Sequence, residues 1–191
     1  MGSGPFDFEV KFTRSKRSLS DLPKKIATKL SRAMRIYGLD FIRRIKTQSF
    51  GGRPNLQRRT GELSRSFNME ITGSALNDLT LRVFSRSPYA KIQEYGGTIR
   101  PKNAQWLAIP LDAAKTGAGV ARGGPRDYQN TFFATSKKGN LILFQKDAGG
   151  GIIPLFVMKK EVTIPPRLGM RQLWHDTRLQ RNMTLREALK G

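Results

Sequence analysis

His175 and Asp176 stand side by side in a chain that has no other histidine and no cysteine. A Ser–His–acid hydrolase would have to use that one imidazole. The pair falls in a predicted helix after Trp174, where adjacent residues do not face each other. The placement favours a helix-surface or interface histidine. With no thiolate available, metal chemistry would fall to carboxylates. Glu62, Glu70, Asp78, Glu94, Asp112, Asp127, Asp147 and Glu161 scatter over predicted loops and strands. They are too sparse to predict the clustered acids of a metal-dependent nuclease. The run Gly117-Ala-Gly-Val-Ala-Arg-Gly-Gly-Pro-Arg126 is rich in glycine but lacks the Lys-Ser/Thr and the following helix of a phosphate loop. Arg122 also stands where a dinucleotide fingerprint needs its third glycine. No cofactor and no metal are expected, and the chain reads as a protein that is not an enzyme.

Binding chemistry is better supplied. Lys and Arg number 35 against 14 Asp and Glu, a net charge of +21. Net charges of about 2–8 already keep a small domain soluble, so this surplus calls for a polyanion or an acidic partner. The excess is localised: between Lys11 and Arg59 there are fifteen Lys and Arg but only Asp21 and Asp40. A local surplus favours a binding surface over general solubility. The Met1–Gly4 start runs into Pro5 and a charged strand-like stretch, so no signal peptide is expected. No apolar run approaches the ~18 residues of a membrane span. A cytoplasm-like compartment without membrane contact is the expectation.

The elements that would carry the charge follow from periodicity. Phe6, Phe8, Val10 and Phe12 alternate with polar residues and predict a strand. From Ser20 onward, Leu22, Ile26, Leu30, Ala33, Met34, Tyr37, Phe41 and Ile45 recur at three and four and predict a long helix. Ser20 or Asp21 would cap it, with Pro23 in its first turn. Lys24, Lys25, Lys29, Arg32, Arg35 and Arg43 fall largely on the opposite face, about 150° from the apolar stripe at ~100° per residue. Gly38, in mid-helix, predicts a close contact or a kink.

Residues 50–60 predict an exposed loop, and Thr60–Phe67 a short capped helical turn. Phe67–Ile71 and Leu79–Val83 predict a hairpin. Tyr89–Tyr95 predicts a helical turn with Tyr89, Ile92 and Tyr95 inward, ended by Gly96-Gly97. Glu94 is expected to hydrogen-bond turn N–H groups, with the glycines supplying positive φ. Trp106–Pro110 predicts a short buried strand, Ala113–Tyr128 a long flexible loop, and Phe132–Thr135, Leu141–Gln145 and Leu155–Val162 strands. One or two helices are expected from Leu168 to Lys190. The class is α+β: an antiparallel sheet against a long amphipathic helix, with extended loops and a C-terminal helix. One domain spans 1–191, with an N-terminal strand and basic arm (1–18), the long helix (19–48), a sheet core (59–167) and a tail (168–191).

Four elements in this order carry a resemblance. They are Arg59-Thr-Gly61-Glu-Leu63-x-x-Ser, Ser87-Pro-Tyr89-Ala-x-Ile-Gln-Glu94-Tyr95-Gly96-Gly97-Thr-Ile-x-Pro-Lys, Trp106-Leu-Ala-Ile-Pro110, and Ile164-Pro-Pro166-Arg167. Together they resemble the neck and tail-completion proteins of tailed bacteriophages, the virion-morphogenesis group related to a tail protein of phage Mu. The resemblance covers roughly Arg59–Arg167. The loop at 113–128 is an insertion relative to that pattern, and the N-terminal arm and helix match it only loosely.

The resemblance implies a structural protein of the virion neck that assembles in the host cytoplasm into a ring, often hexameric. Its neighbours would be a head-closure (stopper) protein and a tail terminator or tail tube protein. The end of the packaged DNA, or the tape-measure protein, would lie in its channel. The basic helix face would then line the lumen and grip phosphates without reading sequence. Contacts with neighbours are expected from Gly51–Thr60, Ala113–Tyr128 and the tail. The competing reading from charge alone is a free-standing basic nucleic-acid-binding protein.

Overall fold

The computed structural model describes residues 6–11, 24–51, 56–74 and 78–190, with residues 6–11 and Lys24–Lys25 as backbone only. The expected cap at Ser20, Asp21 and Pro23 lies outside the described residues. The chain packs as two compact units, Met1–Tyr95 with Pro166–Gly191, and Gly96–Pro165.

The first unit is built on the long helix α1 (Lys24–Gln48) and a three-stranded antiparallel sheet of β1 (Phe6–Lys11), β2 (Phe67–Thr72) and β3 (Thr80–Ser85). β3 is central, in the order β1-β3-β2. The apolar stripe of α1 buries Leu30, Met34, Tyr37, Phe41 and Ile45 in one core with Phe67, Leu79, Leu81 and Val83 of the hairpin. Each such side chain contributes about 1.5–3 kcal/mol when fully buried. Gly38 allows the closest approach of helix to sheet. A Cβ there would come within 2.6 Å of Met69 Sδ and 3.1 Å of Leu81 Cδ1. The expected close contact is therefore present.

Three short helices and a longer one complete this unit: α2 (Glu62–Arg65), α3 (Ala90–Tyr95), α4 (Met170–Asp176) and α5 (Arg178–Lys190). The tail is thus two helices, both packed on α1. Thr177 joins them through its hydroxyl, which donates to the Leu173 carbonyl at 2.8 Å. That leaves the Tyr37 hydroxyl to donate to Thr177 Oγ1 at 2.8 Å. The buried phenol of α1 is satisfied in this way, as burial requires. Arg181 lays its guanidinium 4.0 Å over the Trp174 ring, and Trp174 meets Phe41 edge-on at 5.3 Å.

The second unit holds a two-stranded ribbon of β4 (Gly97–Ile99) with β9 (Val162–Ile164). It also holds a four-stranded antiparallel sheet of β5 (Leu107–Pro110), β6 (Thr131–Thr135), β7 (Leu141–Lys146) and β8 (Ile152–Lys159), in the order β5-β8-β7-β6. Its core is small: Leu143, Leu155 and Phe156 with Ala114.

Three expectations are corrected here. The strand expected over Leu155–Val162 is two strands, β8 and β9, separated at Lys160-Glu161. Glu161 turns outward there to pair with Arg100 at 2.7 Å. The strand at Leu107–Pro110 is a half-buried sheet edge rather than a buried core strand. Ala113–Tyr128 is framed by its own hydrogen bonds: 3-10 turns at Asp112–Ala114 and Pro125–Asp127, and a bridge from Lys115 to Ala121. Ala114 within it is fully buried, which pins the loop to the core of this unit.

Candidate functional site

Three of the four sequence elements meet at α3, within the first unit. The first is linked to the second through hydroxyls. Ser66 Oγ donates to the Leu63 carbonyl at 2.7 Å, so Ser85 Oγ, 2.6 Å away, donates to Ser66. Ser85 Oγ in turn accepts the Ser87 N–H at 3.2 Å, and Ser87 Oγ accepts the Tyr89 N–H at 3.3 Å. Gly61, at φ 76°, starts α2 in a left-handed conformation that favours glycine, and Leu63 packs on the core. Arg59 is exposed beside it.

The fourth element is held by backbone. The Gln93 carbonyl accepts N–H bonds from Arg167 at 2.7 Å and Leu168 at 2.8 Å. The Pro166 and Arg167 side chains are exposed.

Glu94 is buried at the centre of this junction. Its two oxygens accept the Met170 N–H at 2.8 Å and the Arg171 N–H at 2.9 Å. Those donors open α4, whose N-cap, Gly169, has no side chain to satisfy them. A carboxyl group from α3 therefore caps a helix far along the chain, where negative charge also complements the helix dipole. This corrects the expected partner: Glu94 binds the start of α4, not the N–H groups of its own turn. Gly96 and Gly97 do have positive φ, 70° and 149°, as expected.

The aromatic expectation is also overturned. Tyr89 and Tyr95 are exposed, and Ala90 and Glu94 are the buried residues of α3. At 3.6 residues per turn Ala90 and Glu94 share a face, and the Glu94 bonds to α4 fix which face turns inward. Tyr95 instead carries the Arg171 guanidinium 5.7 Å from its ring centre. Pro110, from the third element, closes β5 in the second unit.

A shallow open cleft of about 450 Å3 beside this junction is lined by Glu94, Tyr95, Gly169, Arg171, Gln172 and His175. Both Glu94 oxygens are engaged by backbone donors, and His175 projects into solvent with Asp176 4.0 Å away. The arrangement holds a helix end in place; it aims no acid and base at a common point. Among the described residues there is no group of three or more His, Cys, Asp or Glu placed to hold a metal ion.

The basic face of α1 is the second candidate surface. Lys29, Arg32, Arg35 and Arg43 are exposed, opposite the buried stripe. The side chains of Lys24 and Lys25 lie outside the described residues. Arg43 differs from the other three because it pairs with Asp40, which Arg44 also binds at 2.7 Å. Burial alone would raise the Asp40 pKa, but hydrogen bonds and charge from Arg44 and Arg43 outweigh it and hold the carboxyl below its ordinary value. Arg43 thus brings a locally neutralised charge, whereas Lys29, Arg32 and Arg35 have no ion-pair partner among the described residues.

Sequence reasoning missed two residues on this face. Ile36 and Leu39 are 58% and 57% exposed between the arginines. Their signal was present: they break the three-and-four spacing of the buried stripe and fall in register with Arg32 and Arg43. The face is therefore a basic rim around two apolar side chains, suited to phosphates and to an apolar contact together. Comparison of the chain with protein-family models, with curated proteins and with solved structures found no match in any of the three.

Proposed function

We propose that this chain is a structural, non-catalytic protein of a tailed-phage virion, acting in the head–tail connector as a neck or tail-completion ring. Several copies, six in the simplest case, surround a positively charged channel that holds the packaged DNA end or the tape-measure protein. Head-closure and tail terminator or tube proteins adjoin the ring. The observation that carries this reading is the junction at α3. Three of the four sequence elements that resemble the neck family lie far apart in the chain, yet they are tied to one another by Ser66–Ser85–Ser87, by Gln93 and by Glu94. Elements that matter as a scaffold should meet in this way. The α1 face supports the channel, with Lys29, Arg32 and Arg35 offering charge to phosphates while Ile36 and Leu39 offer a contact to protein.

The test combines native mass spectrometry with DNA-binding titrations at several salt concentrations. A ring-sized species, alone or with duplex DNA, is expected. Lys29→Ala, Arg32→Ala and Arg35→Ala together should lower the slope of log K against log salt by about 3, near 0.9 for each phosphate that is no longer neutralised. The ring itself should persist. A monomer that binds DNA and never assembles would favour a free-standing nucleic-acid-binding protein instead. An unchanged salt slope would remove α1 from the DNA surface.

A further inference from the structure

The two edges of the four-stranded sheet are not equivalent. At β5, the Leu111 N–H donates to the Leu155 carbonyl at 2.7 Å, which fixes the alternation of the ladder. Pro110 then faces the open side, where it offers no N–H. That edge is blunted in the manner of protected sheets.

At β6 the same reasoning gives the opposite result. Lys146 N–H donates to Asn130 O at 3.0 Å and Ser136 N–H to Asn140 O at 2.8 Å, so the even-numbered residues face β7. The N–H and C=O groups of Thr131, Phe133 and Thr135 therefore point away from the sheet, and none has a partner among the described residues. The strand Thr131-Phe-Phe-Ala-Thr135 contains no charge, proline or glycine. An uncharged, β-branched and aromatic edge is a template for another strand.

The side chains point the same way. Phe156, Leu143 and Phe133 are cross-strand neighbours in one row. Their exposures are 2%, 3% and 57%. The apolar layer of this sheet thus runs outward to Phe133 and stops uncovered.

We propose that β6 is a self-association edge, pairing antiparallel with β6 of a second copy about a two-fold axis at Phe133. The sequence is nearly its own mirror, so this register sets Phe133 against Phe133 and Thr131 against Thr135. Phenylalanine and threonine pairs are favourable cross-strand partners. Every outward N–H and C=O of both strands is then used. A β6–β5 pairing is poorer because Pro110 removes a donor. Five residues span about 17 Å, and such an edge buries less than the ~800 Å2 per partner of a stable interface. The association is weak for single copies and gains by multiplicity where copies are already arrayed. It does not depend on the connector reading.

Salt gives it a distinctive sign. The unit carries ten Lys and Arg against four Asp and Glu between Gly96 and Pro165, within a chain of net charge +21. Two copies repel, so screening strengthens the pairing; binding to DNA weakens with salt.

The experiment is sedimentation equilibrium of the full chain from about 10 to about 300 μM, at about 0.1 and 0.5 M salt. The expected result is a mass that climbs toward twice that of the basal species, further at the higher salt. Whether the basal species is a monomer or a ring, the doubling is read in the same way. Phe133→Pro removes an outward N–H and leaves the β6–β7 bonds intact, and Phe133→Lys places a charge on the edge. Both should remain at the basal mass, with circular dichroism confirming the fold; if one is misfolded, the other decides. No doubling of the wild-type chain at either salt, or unaltered doubling in a folded variant, would overturn the proposal. A ring that forms without doubling likewise rejects the edge pairing while sparing the connector reading.

Discussion

The two units are stabilised by different means. The first surrounds Phe41, Met34 and Ile45 of α1 with the hairpin and the C-terminal helices. Two of its buried polar side chains are satisfied across long sequence separations: Tyr37 with Thr177, Glu94 with Met170 and Arg171. The second closes over only Leu143, Leu155, Phe156 and Ala114 and is held mainly by neighbouring strands. A large core shared by distant segments unfolds as one cooperative block. A small core inside a meander opens locally at lower free energy. Rigid positioning therefore belongs to the first unit, and adaptable contact to the second.

Paired truncations break this comparison most strongly. Phe41→Ala and Phe156→Ala each remove a buried ring, at a cost of about 3–5 kcal/mol. Hydrogen exchange should show Phe41→Ala deprotecting α1, β3 and α5 together. Phe156→Ala should deprotect β5–β8 and leave α1 protected. Equal deprotection everywhere in both variants would mean one cooperative block.

The Glu94 cap comes next. Glu94→Ala leaves two N–H groups at the start of α4 without an acceptor, and a destabilisation of about 2–4 kcal/mol is expected in denaturant titrations. Glu94→Gln retains one acceptor and should be destabilised less. If both behave as wild type, water serves these donors equally well.

The smallest effect concerns pH. The folded pKa of Asp40 lies below its unfolded value, so its contribution to stability is present above the unfolded carboxylate range. It disappears as pH falls through the folded pKa. Asp40→Asn should lower neutral stability slightly and flatten the acid limb of the stability curve to match, leaving stability below the folded pKa nearly unchanged. A steeper acid limb in that variant would reverse the assignment.

Much of the fold was legible because local pattern and burial agree. The three-and-four spacing of Leu30, Met34, Tyr37, Phe41 and Ile45 specifies α1, alternation specifies β2 and β3, and short apolar runs mark β6 and β7. Reading failed where the deciding partner is remote. Tyr89 and Tyr95 look like anchors, yet Glu94 takes the interior because α4 supplies its N–H groups 76 and 77 residues later. No window around Glu94 contains that information. Ile36 and Leu39 escape notice for a different reason: a basic face is recognised by its charges, and their departure from the three-and-four spacing of the buried stripe is easily passed over. The bareness of β6 needs the ladder register as well as the sequence.

Gln93 and Glu94 hold the chain just before Gly96, and the same two residues hold it again just after Pro165. The loop of chain between those points starts and finishes at one fastened spot. Such a segment can be excised or exchanged with the contacts of the first unit retained, since its removal needs only a short Gly-rich closure from Tyr95 to Pro166. The α3 junction is thus a grafting point, at which one inserted unit can be exchanged for another while the first unit is kept.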